Sequence, residues 1–177
     1  LEYVVVGGMP EAVKTFFAAH DMNQVCQVQR HILNGYRDDM IKYARSEDKP
    51  RIRECFDSIP RQLSRDNKKF TYSVVRKGGR SKEYISCLQW IEDAGIVRRC
   101  YNLMLPELPL SGNSIQDCFK VYMADTGLLV SMLDDGTQGD ILQGNLWTYK
   151  GAVYENLVAD ILGKMGRKLY YYQKESG

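Results

Sequence analysis

The sequence predicts a mostly α chain with a small amount of β, on three observations. Apolar residues recur every three or four positions over long stretches, most clearly at Val25, Val28, Ile32, Tyr36, Met40 and Tyr43, and that is the period of a helix face. The β-prone runs are short: Ile96 to Tyr101, Phe119 to Met123 and Leu169 to Tyr172. Element order then divides the chain into a helical segment over 1–60, a helix-then-strand module over 61–110, and an α/β piece over 117–177 that stops on its second strand.

The first stretch, Leu1 to Gly8, reads as the end of a strand or helix running into a turn. Pro10 and Glu11 open a helix, since both are favoured in a first turn. The stripe from Asp21 to Ala44 is one continuous helix, and the adjacent Asp38 and Asp39 lie off the stripe on a solvated face. Asp48 can cap a further helix with Pro50 in its first turn and Ile52, Cys55, Phe56 and Ile59 on one side, and Pro60 is expected to disturb it. Phe70 to Val75 reads as a short strand or an extended entry to the next helix.

That next helix is the centre of the chain. Ser81 can cap it, Tyr84, Leu88 and Ile91 recur at helical spacing, and Gly95 can close it in the left-handed conformation. A strand follows directly. Helices, then a helix running straight into a strand, is the order of a winged-helix-like module. Leu103 to Gly112, with Pro106 and Pro109, reads as a linker between subdomains. After it come a strand over 119–123, a turn at Asp125-Thr126-Gly127, a short apolar helix over 128–133 and a flexible acidic loop over 134–140. Gly151 to Lys164 is then a helix with Val153, Leu157 and Ile161 inward, broadened by Val158, Leu162 and Met165, and Gly166 stops it.

Composition narrows the function. With 177 residues, 44% hydrophobic and 26% charged, the chain can bury a sizeable core. The net charge of +2 hides a local excess, because Arg61 to Lys82 carries eight Lys/Arg against Asp66 alone. Five cysteines without a CxxC pair point to reduced thiols in a cytoplasmic protein, not to a disulfide frame or zinc site. No apolar run reaches the roughly 18 residues of a membrane span, and the first residues read as a cut from something longer. No GxxxxGK[ST] loop occurs, so no phosphate cradle for ATP is visible. His20 and His31 are the only histidines, which gives little support to a Ser-His-Asp triad or a His-rich metal site.

Two constellations remain. Lys68, Lys69, Arg76, Lys77, Arg80 and Lys82 precede or open the central helix, and Arg98 and Arg99 lie on the strand after it. Cations in loops and at a helix N-terminus suit nucleic-acid phosphates; a solvated basic loop or a docking face for an acidic partner fits the same residues. The second constellation is Glu155, on the helix between the two late strands, a surface carboxylate if taken alone.

Seven ordered motifs add a resemblance that spans nearly the whole chain: GGMPEAV at 7–13, YRDDMIKY at 36–43, SIPRQLSRDNKKF at 58–70, WIEDAGIV at 90–97, PL at 109–110, FKVYMADTGLL at 119–129 and YKGAVYENLVADIL at 149–162. The chain resembles prokaryotic AAA-type ATP-binding proteins that carry a C-terminal domain of unknown function. The resemblance implies a P-loop ATPase domain upstream, which would hold ATP and Mg²⁺. It also implies a helical tail over 1–60, a winged-helix-like segment over 61–110, and the start of a restriction-endonuclease-like domain over 117–177. Glu155 matches the helix glutamate that joins the metal site in active nucleases of that fold, with the other acids expected beyond Gly177. The chain alone is therefore expected to be neither an ATPase nor a complete nuclease, and to need no cofactor. Its expected role is a DNA-binding or regulatory module; the alternatives are a fragment of a metal-dependent nuclease and a scaffold that docks the ATPase domain of its own chain. Oligomeric state is left open.

Overall fold

The computed structural model describes residues 1–145 and 149–173. The helices α1 (Glu2–Val6), α2 (Pro10–Ala19), α3 (Met22–Tyr43), α4 (Lys49–Leu63), α5 (Tyr72–Val75) and α6 (Ser81–Asp93) precede β1 (Val97–Leu103) and β2 (Ser114–Met123). Then come α7 (Thr126–Ser131), α8 (Thr137–Leu142), α9 (Lys150–Lys164) and β3 (Leu169–Tyr171). The chain is mostly helical with one small mixed sheet in the order β2-β1-β3, antiparallel on one side of β1 and parallel on the other.

Local chemistry accounts for most boundaries. Asp21 caps α3 by accepting the Asn23 N–H at 2.8 Å. Gln29, fully buried on α3, donates to the Val5 and Val6 carbonyls at 2.7 and 3.0 Å and so satisfies the otherwise orphaned end of α1. At α6 the cap position belongs to Arg80, not Ser81, and Glu83 accepts the Arg80 N–H at 3.1 Å. Gly95, at φ 73°, lets the Ile96 N–H turn back to the Ile91 carbonyl at 3.2 Å.

Several expectations are corrected. Pro60 does not break α4: it lies in the last turn, and Ile59 and Leu63, both fully buried, hold that turn in the core. Residues 72–75 form a helical turn in place of a strand. Phe70 just before it meets the sheet, donating its N–H to the Phe119 carbonyl at 2.9 Å. Asp125 is the cap of α7, accepting the Leu128 N–H at 3.0 Å. The second half of the loop expected over 134–140 is the start of a helix, Thr137–Leu142, with Ile141 fully buried.

The expected subdomain division meets the largest difference. Residues 104–113 are the turn of the β1–β2 hairpin, where the Met104 N–H reaches the Asn113 carbonyl at 2.8 Å. β3 then adds to the other edge of β1, so the module over 61–110 and the piece over 117–177 share one sheet. A Pro- and Gly-rich stretch serves equally as a linker or a hairpin turn, and the β-prone runs on either side pair across it. The register shifts between Tyr101, opposite Phe119, and Asn102, opposite Ile115, leaving residues 116–118 without partners on β1.

The sheet has two unlike faces. Val97, Arg99 and Tyr101 lie beside Met123, Val121 and Phe119, toward α4 and α6, in a core shared with Leu33, Phe56, Ile59, Leu88 and Ile91. Arg98 and Cys100 lie beside Tyr122 and Lys120, toward α9. On α9 the buried side chains are Ala152, Val153, Asn156, Ala159 and Asp160, while Val158, Ile161, Leu162 and Met165 are exposed. The stripe expected to face inward is turned by about a quarter of the helix circumference, because Asn156 bonds to β2 and Asp160 to the start of α7.

Candidate functional site

The basic segment between α5 and α6 is a tight turn. Gly78 sits at φ 79°, and a Cβ on Gly79 would fall 2.8 Å from the Tyr72 carbonyl oxygen, so side chains are excluded there. The turn leaves Arg76, Lys77, Arg80 and Lys82 exposed, with Lys69 exposed nearby. Arg76 Nη1 stands 3.8 Å from Glu54 Oε1. Among the described residues Lys69, Lys77, Arg80 and Lys82 make no ion pair within 4.0 Å. α6 buries Tyr84, Cys87, Leu88 and Ile91 and keeps Lys82, Ile85, Ser86 and Gln89 outward.

The other three cations named from the sequence are engaged internally. Arg99, with 8% of its side chain exposed, donates Nε to Glu92 Oε2 at 2.6 Å and its backbone N–H to Glu92 Oε1 at 3.0 Å. Arg98 reaches the Ala124 carbonyl at 3.3 Å and lies against Gly163, where a Cβ would come 2.4 Å from its Nε. Lys68 points into the protein.

Lys68 belongs to the Glu155 cluster. Its backbone holds φ 49°, a left-handed conformation that costs a non-glycine residue on the order of 1 kcal/mol, and its side chain is 15% exposed. Nζ donates to Glu155 Oε1 at 2.7 Å; Lys120 Nζ and Tyr122 OH donate to Oε2 at 3.1 and 2.9 Å. Burial pushes the Glu155 carboxyl up, but these donors outweigh it and hold the group below its ordinary value. Tyr122 is pushed up by burial and by the Glu155 charge beside it. Lys120 also lies 4.8 Å from the centre of the Tyr171 ring, whose hydroxyl is 3.5 Å from Cys118 Sγ. Burial raises the Cys100 thiol to about 11, so it is no nucleophile at neutral pH. Above the cluster opens a groove of 490 Å³ with Tyr154, Val158, Leu162 and Leu169 on its apolar walls. The donor set does not fit the divalent cation of a nuclease: ammonium groups occupy both carboxylate oxygens, and the described residues contain no group of three or more His, Cys, Asp or Glu able to hold a metal.

A second polar cluster was not read from the sequence. Asn156 accepts the Met123 N–H at 2.8 Å and donates to the Met123 carbonyl and to Thr126 Oγ1, both at 3.2 Å. Asp160, fully buried, accepts the Thr126 N–H at 3.3 Å and pairs with Lys164 at 2.9 Å. Asp125 Oδ2 accepts the Gly8 N–H at 2.6 Å. Gly127 packs where a Cβ would meet the Val6 carbonyl at 2.7 Å. The signal was present, since all these residues lie in the quoted motifs GGMPEAV, FKVYMADTGLL and YKGAVYENLVADIL or directly beside them. The motifs gave their order in the chain but not that they meet.

Among the described residues no helix is long and apolar enough to cross a membrane. No curated protein and no solved structure matches the chain. A family model described as a domain of unknown function, DUF8612, matches residues 1–139, from α1 to the first turn of α8. The chain therefore belongs to the DUF8612 family of domains of unknown function.

Proposed function

We propose that this domain binds nucleic acid through the turn between α5 and α6, as a regulatory module of an AAA-type ATPase. The observation that carries the reading is the group of exposed cations, Arg76, Lys77, Arg80 and Lys82, at the start of a helix whose outer face is unoccupied. The order α4, α5, α6 and then the β1–β2 hairpin supports a winged-helix-like reading of the same segment. ATP and Mg²⁺ belong, on this reading, to the ATPase domain, and the protein works in the cytoplasm, where its five cysteines stay reduced. With Lys68, Arg98 and Arg99 engaged internally, the interface rests on Lys69, Arg76, Lys77, Arg80 and Lys82.

Binding is electrostatic and poor in sequence preference, because the outward face of α6 offers few side chains suited to base edges. Anisotropy of a labelled duplex between about 50 and 200 mM salt should give a log–log slope of about −4.5 for five phosphate contacts. Changing Arg76, Lys77, Arg80 and Lys82 together to Ala should abolish binding while the circular dichroism spectrum stays that of the parent. A parent that does not bind, or a quadruple variant that binds equally well, would sink the reading.

A scaffold reading has its own support: α9 exposes Tyr154, Val158, Ile161, Leu162 and Met165 along one side, the kind of surface that docks a partner. On that reading the occupant is the ATPase domain of the same protein, and nucleic acid plays no part. The nuclease reading gains less, since the lysines around Glu155 support an architectural role.

A further inference from the structure

A groove of 370 Å³ runs between the β1–β2 hairpin and the turn from α9 into β3, far in sequence from the basic turn before α6. Arg98, Arg99, Arg167 and Lys168 line it, with Ser111, Ser114, Gln116, Tyr101 and Tyr170 completing the wall. Glu92 is the one acid among its lining residues, and both of its oxygens are taken by Arg99. The groove therefore carries an uncompensated positive charge. Arg167 and Lys168 are exposed and make no ion pair with any described residue. Tyr101 and Tyr170 sit opposite each other across β1 and β3, so two phenol rings stand beside these cations. Hydroxyls and an amide add neutral donors.

We infer that this groove binds the phosphates of a single-stranded nucleic-acid segment, with a base against Tyr101 or Tyr170. Cations along a channel with aromatic faces beside them are what such a strand requires: charge follows the backbone, and any base can stack. Two of the cations, Arg167 and Lys168, lie outside the stretch that the family model matches, so this part of the surface belongs to the C-terminal segment. The inference shares its class of ligand with the reading above but rests on different residues, and each can fail alone.

The test uses the whole chain and a labelled single-stranded oligothymidylate, followed by anisotropy. Arg167→Ala with Lys168→Ala should weaken binding about tenfold and make the salt slope shallower by about 1.4 for two lost contacts. Gln116→Glu, which puts a carboxylate on the groove wall, should weaken it several-fold. In the background of the Arg76/Lys77/Arg80/Lys82 alanine variant, the same Arg167/Lys168 change should weaken single-strand binding by the same factor. Tyr170→Ala should reduce affinity while leaving the salt slope unchanged, since stacking carries no counterion term. All four changes lie on exposed or half-exposed side chains, and matching urea unfolding curves establish that the variants fold. Loss of binding in the α5–α6 variant with none in Arg167→Ala/Lys168→Ala would overturn the assignment. So would a parent that takes up inorganic pyrophosphate but no oligonucleotide, which would reduce the groove to an anion site.

Discussion

The two faces of the sheet are built on different principles. Toward α4 and α6 the strands present Val97, Val121, Met123 and Phe119 to an apolar core. Toward α9 they present Lys120 and Tyr122, and α9 answers with Glu155 and Asn156. Apolar packing is non-directional, so one hydrophobic side chain of similar volume can replace another at small cost. The hydrogen bonds that Asn156 accepts from the Met123 N–H and donates to its carbonyl are satisfied in only one position of the helix. The polar face thus fixes where α9 sits, and the apolar face supplies most of the free energy that holds the sheet down.

Substitutions can break or sharpen this contrast. The largest effect is expected from Phe119→Ala on the apolar side. Its ring stacks on Phe70 at 5.9 Å and is buried, so the loss should be about 4 kcal/mol in urea unfolding. A loss below about 1 kcal/mol would show that the apolar face is not what holds the sheet. Asn156→Ala should cost about 3 kcal/mol, because it strands the Met123 N–H and carbonyl. Asn156→Leu should be no better, and recovery of stability by leucine would mean that the polar face acts as ordinary packing.

Glu155→Gln should cost less, under about 1 kcal/mol, since the carboxylate is 38% exposed and solvent screens it. Its diagnostic is pH. The folded-state value lies below the ordinary 4.5, so the contribution is complete above that value and fades as pH falls through the depressed one. The parent should therefore lose stability more steeply than the variant in acid. Parallel curves would remove the Lys68–Glu155–Lys120 cluster from the account. Lys164 gives the opposite sign. Burial lowers its value, but Asp160 and Asp125 outweigh that and raise it above 10.5. Its contribution is thus full below 10.5 and is lost as pH climbs through the raised value, which Lys164→Met should abolish. The smallest effect belongs to the Arg76, Lys77, Arg80 and Lys82 alanine variant, which should unfold within about 0.5 kcal/mol of the parent because these side chains touch no core.

The sequence was most readable where one face of an element is apolar and the partner is local. On α3 Val25 and Met40 of the stripe are buried, but Gln29 and Leu33 are buried beside them and Tyr43 is exposed; the buried residues of α4 and α6 follow the helical period, and Gly95 and Gly166 mark ends, both at positive φ. Reading failed on α9 because periodicity assigns apolar residues inward. Asn156 and Asp160 are buried for their hydrogen bonds to Met123 and Thr126, residues more than a full helix away in sequence. The cation set illustrates the same limit. A count of charges cannot separate Lys77, which is exposed, from Arg99, whose partner Glu92 lies on the preceding helix and becomes its neighbour only when the strand folds back.

The parallel pairing of β3 with residues 100–102 sets an order of events during synthesis. β1 and β2 are joined by a short turn and can zip as soon as both have left the ribosome, on a microsecond scale. The opposite edge of β1 stays open until α7, α8 and α9 have been made and β3 arrives. At about 5–20 residues per second, that interval lasts several seconds, during which a row of unpaired backbone groups is available to other nascent chains. Arg98 and Arg99, side by side on that strand, put like charges on both of its faces, and repulsion between such strands protects the edge while it waits.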